Sequence, residues 1–215
     1  MSNTIARLEI TIDVVGLPGQ RALVLPSLTP TELVGNVLEE FREIEYLGAR
    51  PGDYRLVGAP DGEPLDDGRP LSAQITPGAH LRLEERLVPL PKGGVRPSQA
   101  IYLRERPSGQ VFRLDWMPAI IGRADTNLPE NELIGVDLAA HPAGLRVSRR
   151  HARLIERDGH YLVERLSPNP IAISNGTGQT IDVAQAPVPI HHGDTLLLVR
   201  SQIALTFLIR DADQG

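Results

Sequence analysis

The chain has 215 residues, of which 41% are hydrophobic, so it can form two domains of about 100 residues that each bury a core. Charged residues make up 23% and the net charge is −5, a balance that argues against general nucleic-acid binding, which usually needs a basic domain. The absence of cysteine excludes a disulfide framework, thiolate metal sites and a cysteine nucleophile.

The first half of the chain predicts short strands separated by turns. Alternating apolar residues at 8–14 indicate a half-buried strand, and a turn at 16–19 leads to a returning strand at 22–25. Two further short strands are predicted at 54–57 and 81–83.

One amphipathic helix is predicted between these two pairs of strands. Thr29 can cap it, Pro30 suits the first helical position, and Glu32 completes a capping box. An apolar stripe at helical spacing continues as far as Ile44, and Gly48 is the predicted end of the helix.

A hairpin followed by a helix and more short strands resembles the β-grasp of ubiquitin-like domains, particularly bacterial members, over about residues 5–86. The resemblance implies a small α+β domain with a structural role or a role in docking a second protein. Unlike ubiquitin, the chain has no exposed Gly-Gly tail, because Gly93 and Gly94 lie inside it, and Lys92 is its only lysine. Conjugation to other proteins is therefore not expected.

The composition changes near the middle of the chain. Five residues that break helices and strands fall close together there, at Pro89, Pro91, Gly93, Gly94 and Pro97. Such a segment cannot continue a helix or a central strand. The sequence therefore predicts a ubiquitin-like domain at residues 1–87, a Pro/Gly linker at 88–98 and a second domain at 99–215.

The second half is almost purely strand-like. Short apolar runs broken by turns occur at 101–103, 111–114, 152–155, 161–163, 195–199 and 203–209. Asp158-Gly159 and Asn175-Gly176 are strong hairpin-turn pairs. Many short strands without a convincing helix predict a β-sandwich, so the fold class expected for the whole chain is mainly β.

Three motifs of this half stand at the ends of predicted strands. They are Ile120-Ile121-Gly122-Arg123, Val147-Ser148-Arg149-Arg150-His151-Ala152 and Leu166-Ser167-Pro168-Asn169-Pro170-Ile171. Each is weak alone, but their order and spacing resemble the forkhead-associated (FHA) family over about 110 residues. The resemblance implies a non-enzymatic β-sandwich that binds phosphothreonine on a partner protein, either a Ser/Thr kinase or its substrate.

The residue types in these motifs suit such a ligand, because a phosphothreonine carries about −1.5 to −2 charges and three acceptor oxygens. Arg123 can meet two of the oxygens through its planar guanidinium, and the Ser148 hydroxyl can donate to a third. Arg149 can add charge or a backbone N–H, while Asn169 has amide donors and a carbonyl that suit the main chain of the ligand. These four residues are the predicted phosphopeptide-binding set.

By the same resemblance, two further residues support the site. Gly122 is expected to let the backbone turn so that Arg123 points at the ligand. His151 is expected to be a mostly buried ring that bonds the Ser148 loop, with no direct role in binding the phosphopeptide.

Two asparagines compete for the role of the third family motif, which usually reads Asn-Gly-Thr. That string occurs at Asn175-Gly176-Thr177, but the spacing from the strand that starts at Tyr161 places Asn169 where the motif belongs. Pro170 then replaces the glycine, removes a backbone N–H and stiffens the loop. We therefore predict that Asn169 holds the ligand and that Asn175 lies on the hairpin that follows.

A second departure from the family pattern is the long segment 124–146 between the first two motifs. Its acidic residues include Asp125, Glu130, Glu132 and Asp137. Acidic side chains near the pocket would weaken phosphate binding. A structural scaffold whose FHA fold binds partners without phosphate therefore stays open as an alternative function.

Other chemistries lack their motifs. The histidines do not show the His-x-x-x-His spacing of a helical zinc site, and no Gly-x-Ser-x-Gly elbow surrounds Ser148. We expect no metal, no cofactor and no enzyme activity. No apolar run reaches the roughly 18 residues of a membrane span, and residues 1–13 show no secretion signal, so we expect a cytoplasmic protein without membrane insertion.

Together the two halves predict an adaptor in Ser/Thr kinase signalling. The FHA half would dock on a phosphothreonine and the ubiquitin-like half would dock on a second protein. An accessory role at a bacterial secretion system is a further alternative, which rests on analogy between folds alone.

Overall fold

The computed structural model describes residues 7–59 and 62–210. The chain divides after Leu87 into two compact units, an α+β unit and a larger unit of two β-sheets. The predicted fold class, mainly β with a sandwich preceded by a smaller α+β domain, is confirmed. Within the described ranges no helix is long and apolar enough to cross a membrane. The outermost residues of the two predicted domains, 1–6 and 211–215, lie outside the described ranges.

The N-terminal unit is a four-stranded sheet with one α-helix. Its elements are β1 (Leu8–Val14), β2 (Leu17–Val24), α1 (Pro30–Glu40), β3 (Tyr54–Gly58), β4 (Ala79–Glu85) and 3₁₀ turns at Pro51–Asp53 and Leu71–Ala73. The strand order is β2-β1-β4-β3, in which β1 and β4 are parallel and the other pairs are antiparallel. Alternate residues of β1, such as Ile10 and Ile12, are buried with Leu33 and Val37 of α1. The period-2 and helical apolar patterns therefore meet in one core.

The turn between β1 and β2 is shorter than predicted. It consists of Val15 and Gly16 alone, and Leu17 already pairs with Val14, so the four-residue turn expected at 16–19 is wrong. Gly16 has a φ of 78°, which a glycine adopts without steric cost and which lets two residues reverse the chain.

Helix α1 begins where the sequence predicts and ends earlier. The Thr29 N–H donates to the Glu32 carboxylate at 2.8 Å and the Glu32 N–H donates to the Thr29 hydroxyl at 3.3 Å, so the capping box is confirmed. The helix stops at Glu40 rather than at Gly48. Its last turn has no basic residue, and Glu39 and Glu40 put negative charge at the negative end of the helix dipole. The apolar stripe continues through turns instead.

The C-terminal unit is a sandwich of eleven short strands. They are β5 (Ala100–Glu105), β6 (Val111–Leu114), β7 (Ala119–Gly122), β8 (Ile134–Asp137), β9 (Arg150–Arg157), β10 (His160–Arg165), β11 (Ile171–Ser174), β12 (Thr180–Asp182), β13 (Val188–Pro189), β14 (Thr195–Leu198) and β15 (Ile203–Arg210). Two 3₁₀ turns, Asn131–Leu133 and Gly144–Arg146, lie within the segment between β7 and β9. One sheet has the order β13-β10-β9-β7-β8 and the other has the order β12-β11-β14-β15-β5-β6.

The two sheets of this unit share one apolar core. Leu154 and Val163 from the first sheet are fully buried in the same cluster as Leu103 and Phe207 from the second. The ring of Tyr161 on β10 lies 5.4 Å from that of Phe207 on β15, a tilted contact between aromatic side chains of opposite sheets. The predicted hairpin at Asp158-Gly159 is confirmed, with φ values of 52° and 74° that match a type I′ turn.

The segment that carries the predicted linker makes ordered contacts with the sandwich unit. Val95 and Met117 exchange backbone hydrogen bonds of 2.9 and 2.7 Å, and the Ser98 N–H donates to the Glu156 carboxylate at 3.0 Å. The Ser98 hydroxyl lies 3.4 Å from that of Tyr161. The last residues of the segment 88–98 are thus held by hydrogen bonds.

Replacing Thr29 by alanine is expected to lower the local stability of α1 by about 1 kcal/mol, because the Glu32 N–H loses its capping acceptor. Hydrogen exchange of the α1 amides measures this as a lower free energy of opening. Thr31 is the second residue of the helix and is exposed, so Thr31→Ala is a control with the same chemical change. An equal loss of protection in Thr31→Ala would contradict the capping role.

Candidate functional site

The three motifs of the second half meet at one end of the sandwich. Arg123 follows β7, Ser148 and Arg149 precede β9, and Asn169 lies between β10 and β11. Strands β7, β9 and β10 are neighbours in one sheet, so the end of β7, the start of β9 and the end of β10 lie at the same edge. Pairing of these three strands therefore brings residues far apart in sequence together.

Gly122 allows the closest backbone approach in this region. It pairs with Arg150 at an irregularity in the β7–β9 ladder, where a Cβ on Gly122 would lie 2.2 Å from the carbonyl oxygen of Arg149. No side chain fits at that distance. The next residue, Arg123, donates its backbone N–H to the same carbonyl at 3.1 Å. The absence of a side chain at Gly122 thus lets the Arg149 carbonyl fix the backbone of Arg123.

One nitrogen of the Arg123 guanidinium is hydrogen-bonded within the protein and the other two can bind a further acceptor. Its Nε donates to the carbonyl oxygen of Val147 at 2.8 Å, and the side chain is half-buried. Within the described part of the chain, neither Nη atom has a hydrogen-bond partner in the protein. The guanidinium is therefore oriented by the loop that carries Ser148 while its outer edge keeps its N–H groups for another acceptor.

Ser148 and Asn169 are directly hydrogen-bonded. The Asn169 amide nitrogen donates to the Ser148 Oγ at 2.8 Å, which leaves the hydroxyl proton of Ser148 free to donate elsewhere. Arg200, in the turn between β14 and β15, donates from Nη1 to the Asn169 Oδ1 at 3.3 Å. Sequence reasoning missed Arg200, because it lies 31 residues from Asn169 and in no motif.

The buried His151 ring is hydrogen-bonded to the loop that carries Ser148. The ring is fully buried, and its Nδ1 accepts the backbone N–H of Ser148 at 3.0 Å. Burial lowers the pKa of the ring below its ordinary value, and an accepting Nδ1 requires the neutral form. Its Nε2 is buried and has no partner among the described residues.

Arg149 is exposed and paired with an acidic residue of the segment 124–146. Its Nε lies 2.9 Å from Asp125 Oδ2, while the Asp125 Oδ1 accepts the Asn127 N–H at 3.0 Å. The pKa of Asp125 is lowered, first by this backbone hydrogen bond and then by further contacts that include the charge of Arg149. A carboxylate therefore lies next to one of the predicted phosphopeptide-binding residues.

Two other arginines near the site, Arg150 and Arg153, have structural partners. Arg150 donates to the carbonyl oxygen of Pro129 from Nε at 3.2 Å and from Nη2 at 2.9 Å, which ties the segment 124–146 to the start of β9. Arg153 on β9 donates to Glu164 on β10 at 2.8 Å as a cross-strand pair. Arg150 thus holds a loop in place and Arg153 stabilises a strand pair.

Asn175 belongs to the β11–β12 hairpin. Its Oδ1 accepts the N–H groups of Thr177 and Gln179 at 3.1 and 2.9 Å and the Thr177 hydroxyl at 2.7 Å. All three donors lie within the hairpin, so the Asn-Gly-Thr string forms an Asx-type turn. Of the two asparagines, Asn169 is the one that contacts Ser148.

Comparison with known proteins identifies a family match within this unit. Residues 119–199 match the model of the FHA domain, so the resemblance predicted for the second half is confirmed over these residues. No curated protein gives a significant match to the chain.

Solved structures are similar to parts of the chain. The FHA domain of human APLF in complex with an XRCC1 bisphosphopeptide is 22% identical, with 51% of this chain and 97% of that chain covered and a TM-score of 0.38. EmbR of Mycobacterium tuberculosis in complex with a low-affinity phosphopeptide is 24% identical, with 54% and 26% covered and a TM-score of 0.38. The ubiquitin of Caldiarchaeum subterraneum is 22% identical, with 38% and 96% covered and a TM-score of 0.29.

The buried His151 ring is expected to make the sandwich less stable in acid. The pKa of this ring is lower in the folded chain than in the unfolded chain. Below about pH 6.5 the unfolded chain therefore binds a proton that the folded chain does not, and the free energy of unfolding decreases as the pH decreases. The limiting slope is about 1.4 kcal/mol per pH unit. Denaturant unfolding between pH 7.5 and 5, followed by fluorescence of the single tryptophan, Trp116, measures it.

The comparison that isolates the ring uses His151→Gln, which is expected to have a shallower pH dependence whatever its stability at neutral pH. His160→Gln, at an exposed position of β10, removes a histidine and leaves the buried ring in place. Equal slopes for wild type and His151→Gln would refute the assignment.

Proposed function

We propose that the C-terminal unit binds a phosphothreonine on a partner protein, at the site formed by Arg123, Ser148, Arg149 and Asn169. The observation that carries the proposal is the outward donor set of this site. Arg123 keeps two Nη groups and Ser148 keeps its hydroxyl proton, while their remaining contacts hold them in place. Unused donors of this kind, carried by loops at the same end of one sheet, match the oxygens of a phosphate.

Each residue has a distinct part in the proposed complex. The two Nη groups of Arg123 donate hydrogen bonds to two phosphate oxygens, and the Ser148 hydroxyl donates to another. Asn169 still has one N–H and one lone pair after its bonds to Ser148 and Arg200, and these hold the peptide main chain. Arg149 adds positive charge. Gly122 and His151 position the set without touching the ligand.

The proposed biological role is that of a non-enzymatic adaptor in Ser/Thr kinase signalling. The partner would be a kinase phosphorylated on threonine or a substrate of that kinase. The FHA-domain match of residues 119–199 supports this role. His151 Nδ1 accepts the Ser148 backbone N–H, so this nitrogen is not placed to take a proton from the Ser148 hydroxyl.

We further propose that the N-terminal α+β unit is ubiquitin-like and docks a second protein. The strand order β2-β1-β4-β3 with parallel β1 and β4, and the helix between β2 and β3, support this assignment. On β2, Leu23 is 63% exposed beside Glu9 of β1. A full-length Leu23→Arg variant is expected to lose a partner in pull-downs while its phosphopeptide affinity stays unchanged, and an unaltered set of partners would refute this module.

The alternative is a phosphate-independent scaffold, and two observations favour it. Asp125 forms an ion pair with Arg149, and Pro170 has no backbone N–H that could donate to a ligand. A pull-down before and after phosphatase treatment of the partner separates the two functions. The scaffold predicts equal capture, whereas phosphothreonine binding predicts loss of the partner.

Arg123→Ala is expected to weaken phosphothreonine-peptide binding by roughly 1.5–3 kcal/mol, or about 10- to 150-fold, because a charged donor pair is removed. Calorimetric titration of the full chain measures the affinity. Arg157→Ala is the control, since Arg157 is an exposed arginine at the other end of β9. Unchanged affinity in a folded Arg123→Ala protein would exclude the proposed site.

The two asparagines are expected to behave in opposite ways. Asn169→Ala removes a ligand-holding amide and the bond to Ser148, so binding should weaken about 2- to 12-fold, the range for one hydrogen bond between neutral groups. Asn175→Ala should leave affinity unchanged and increase hydrogen exchange in the β11–β12 hairpin, whose turn it bonds. A loss of affinity in Asn175→Ala alone would reverse the assignment.

A further inference from the structure

An ion pair and two hydrogen bonds, joined by the peptide link between Ser148 and Arg149, form a continuous line across the site with opposite charges at its ends. Asp125 pairs with Arg149, which is the neighbour of Ser148 in sequence. Ser148 is bonded to Asn169, and Asn169 is bonded to Arg200. The line therefore begins at a carboxylate and ends at a guanidinium.

Strand order shows that these ends lie on opposite sides of the site. Asp125 follows β7, and the loop with Ser148 precedes β9, the neighbour of β7. Asn169 follows β10, the next strand beyond β9, and Arg200 lies in the β14–β15 turn of the other sheet. The line thus crosses the edge of the first sheet from β7 to β10 and then passes to the second sheet.

The two ends differ in what they can offer a ligand. Arg200 is exposed and makes one hydrogen bond, to Asn169, and no carboxylate of the described residues lies within ion-pair distance of it. Its remaining N–H groups are held next to the residue that is proposed to grip the peptide main chain. At the other end, Asp125 is one-fifth exposed and keeps its negative charge, since its pKa is lowered by the Asn127 backbone N–H.

We propose that the site selects phosphothreonine peptides whose flanks differ in charge, with a carboxylate on the Arg200 side and no carboxylate on the Asp125 side. The inference rests on the proposed function of the site and adds the chemistry of the residues around the phosphothreonine. Arg200 binds the acidic side chain directly. Asp125 repels a second acidic side chain and competes with the phosphate for Arg149, which lowers affinity for every phosphopeptide.

Tethering makes Arg200 more effective than a free surface arginine. An isolated surface ion pair contributes little, because two long side chains must be immobilised for a screened attraction. Arg200 is already restrained by Asn169, so part of that entropy is lost before the ligand binds. Its hydrogen bond also orients the Asn169 amide so that the nitrogen faces Ser148.

The experiment measures affinities of the full chain for a set of phosphothreonine peptides with neutral flanks and for the same peptides with one glutamate at each flanking position in turn. In the wild type, glutamate on one side of the phosphothreonine should strengthen binding about two- to fivefold, and glutamate on the other side should weaken it by a similar factor. Both effects should shrink as the salt concentration rises.

Two variants assign these effects to the two ends of the line. Arg200→Gln should abolish the gain from the favourable glutamate. Asp125→Asn, which keeps an acceptor for the Asn127 N–H, should relieve the unfavourable glutamate and strengthen the neutral phosphopeptide about two- to fivefold. Controls with the same changes in charge are Arg157→Gln and Asp158→Asn at the opposite end of β9, and Asn suits the φ of 52° at position 158.

The outcomes separate this inference from the proposed function. If the wild type binds no neutral phosphopeptide, the proposed function fails. If it binds but glutamate has the same effect on both sides, or if Arg200→Gln behaves as Arg157→Gln does, the charge selectivity is wrong. Trp116 fluorescence during denaturant unfolding verifies that each variant is folded.

Discussion

The close approach of Gly122 to the carbonyl of Arg149 is the constraint on which the rest of the site depends. At that point a strand end and the start of another strand are nearer than any side chain allows. The same carbonyl receives the backbone N–H of Arg123, so the direction of the arginine follows from a backbone contact. The end of the sheet thereby gives a long, flexible side chain one starting direction, which lowers the entropy cost of any further contact that this side chain makes.

In the loop before β9, main-chain polar groups form hydrogen bonds within the protein, while the Ser148 hydroxyl keeps a proton to donate. The Ser148 backbone N–H is bonded to the buried His151, and the Val147 carbonyl accepts from Arg123. These contacts satisfy the main chain, so the Ser148 hydroxyl is not required to hold the loop. Because the histidine accepts a hydrogen bond in a buried position, its neutral form is part of the folded structure. The core and the site are linked through this one ring.

Local sequence signals predicted a large part of the structure. The capping box at Thr29, the alternating strand of β1 and the Asp158-Gly159 turn depend on neighbouring residues, and each was recognisable from the chain alone. The end of α1 and the strands β8 and β13 were not, because short segments with few apolar residues are fixed by tertiary pairing.

The site shows the same division between local and distant interactions. The spacing of the motifs located the loops, and strand position predicted that Asn169, rather than Asn175, lies beside them; Asn169 is the one bonded to Ser148. Arg200 could not be found in this way. It reaches the site from the second sheet, and no local pattern records a contact that depends on how two sheets pack. The sequence showed that Asp125 is acidic, but its ion pair with Arg149 could not be predicted because it depends on how the segment 124–146 folds.

The contacts of residues 95–98 have a practical consequence for dividing the protein into fragments. A fragment that started at residue 99 would lack the backbone pairing of Val95 with Met117 and the hydrogen bond of Ser98 to Glu156. It would also leave the hydroxyl of the buried Tyr161 without its serine neighbour. A fragment that keeps these contacts starts at Val88, where the compact unit begins, so the proline-rich stretch contributes hydrogen bonds to the sandwich unit as well as a connection.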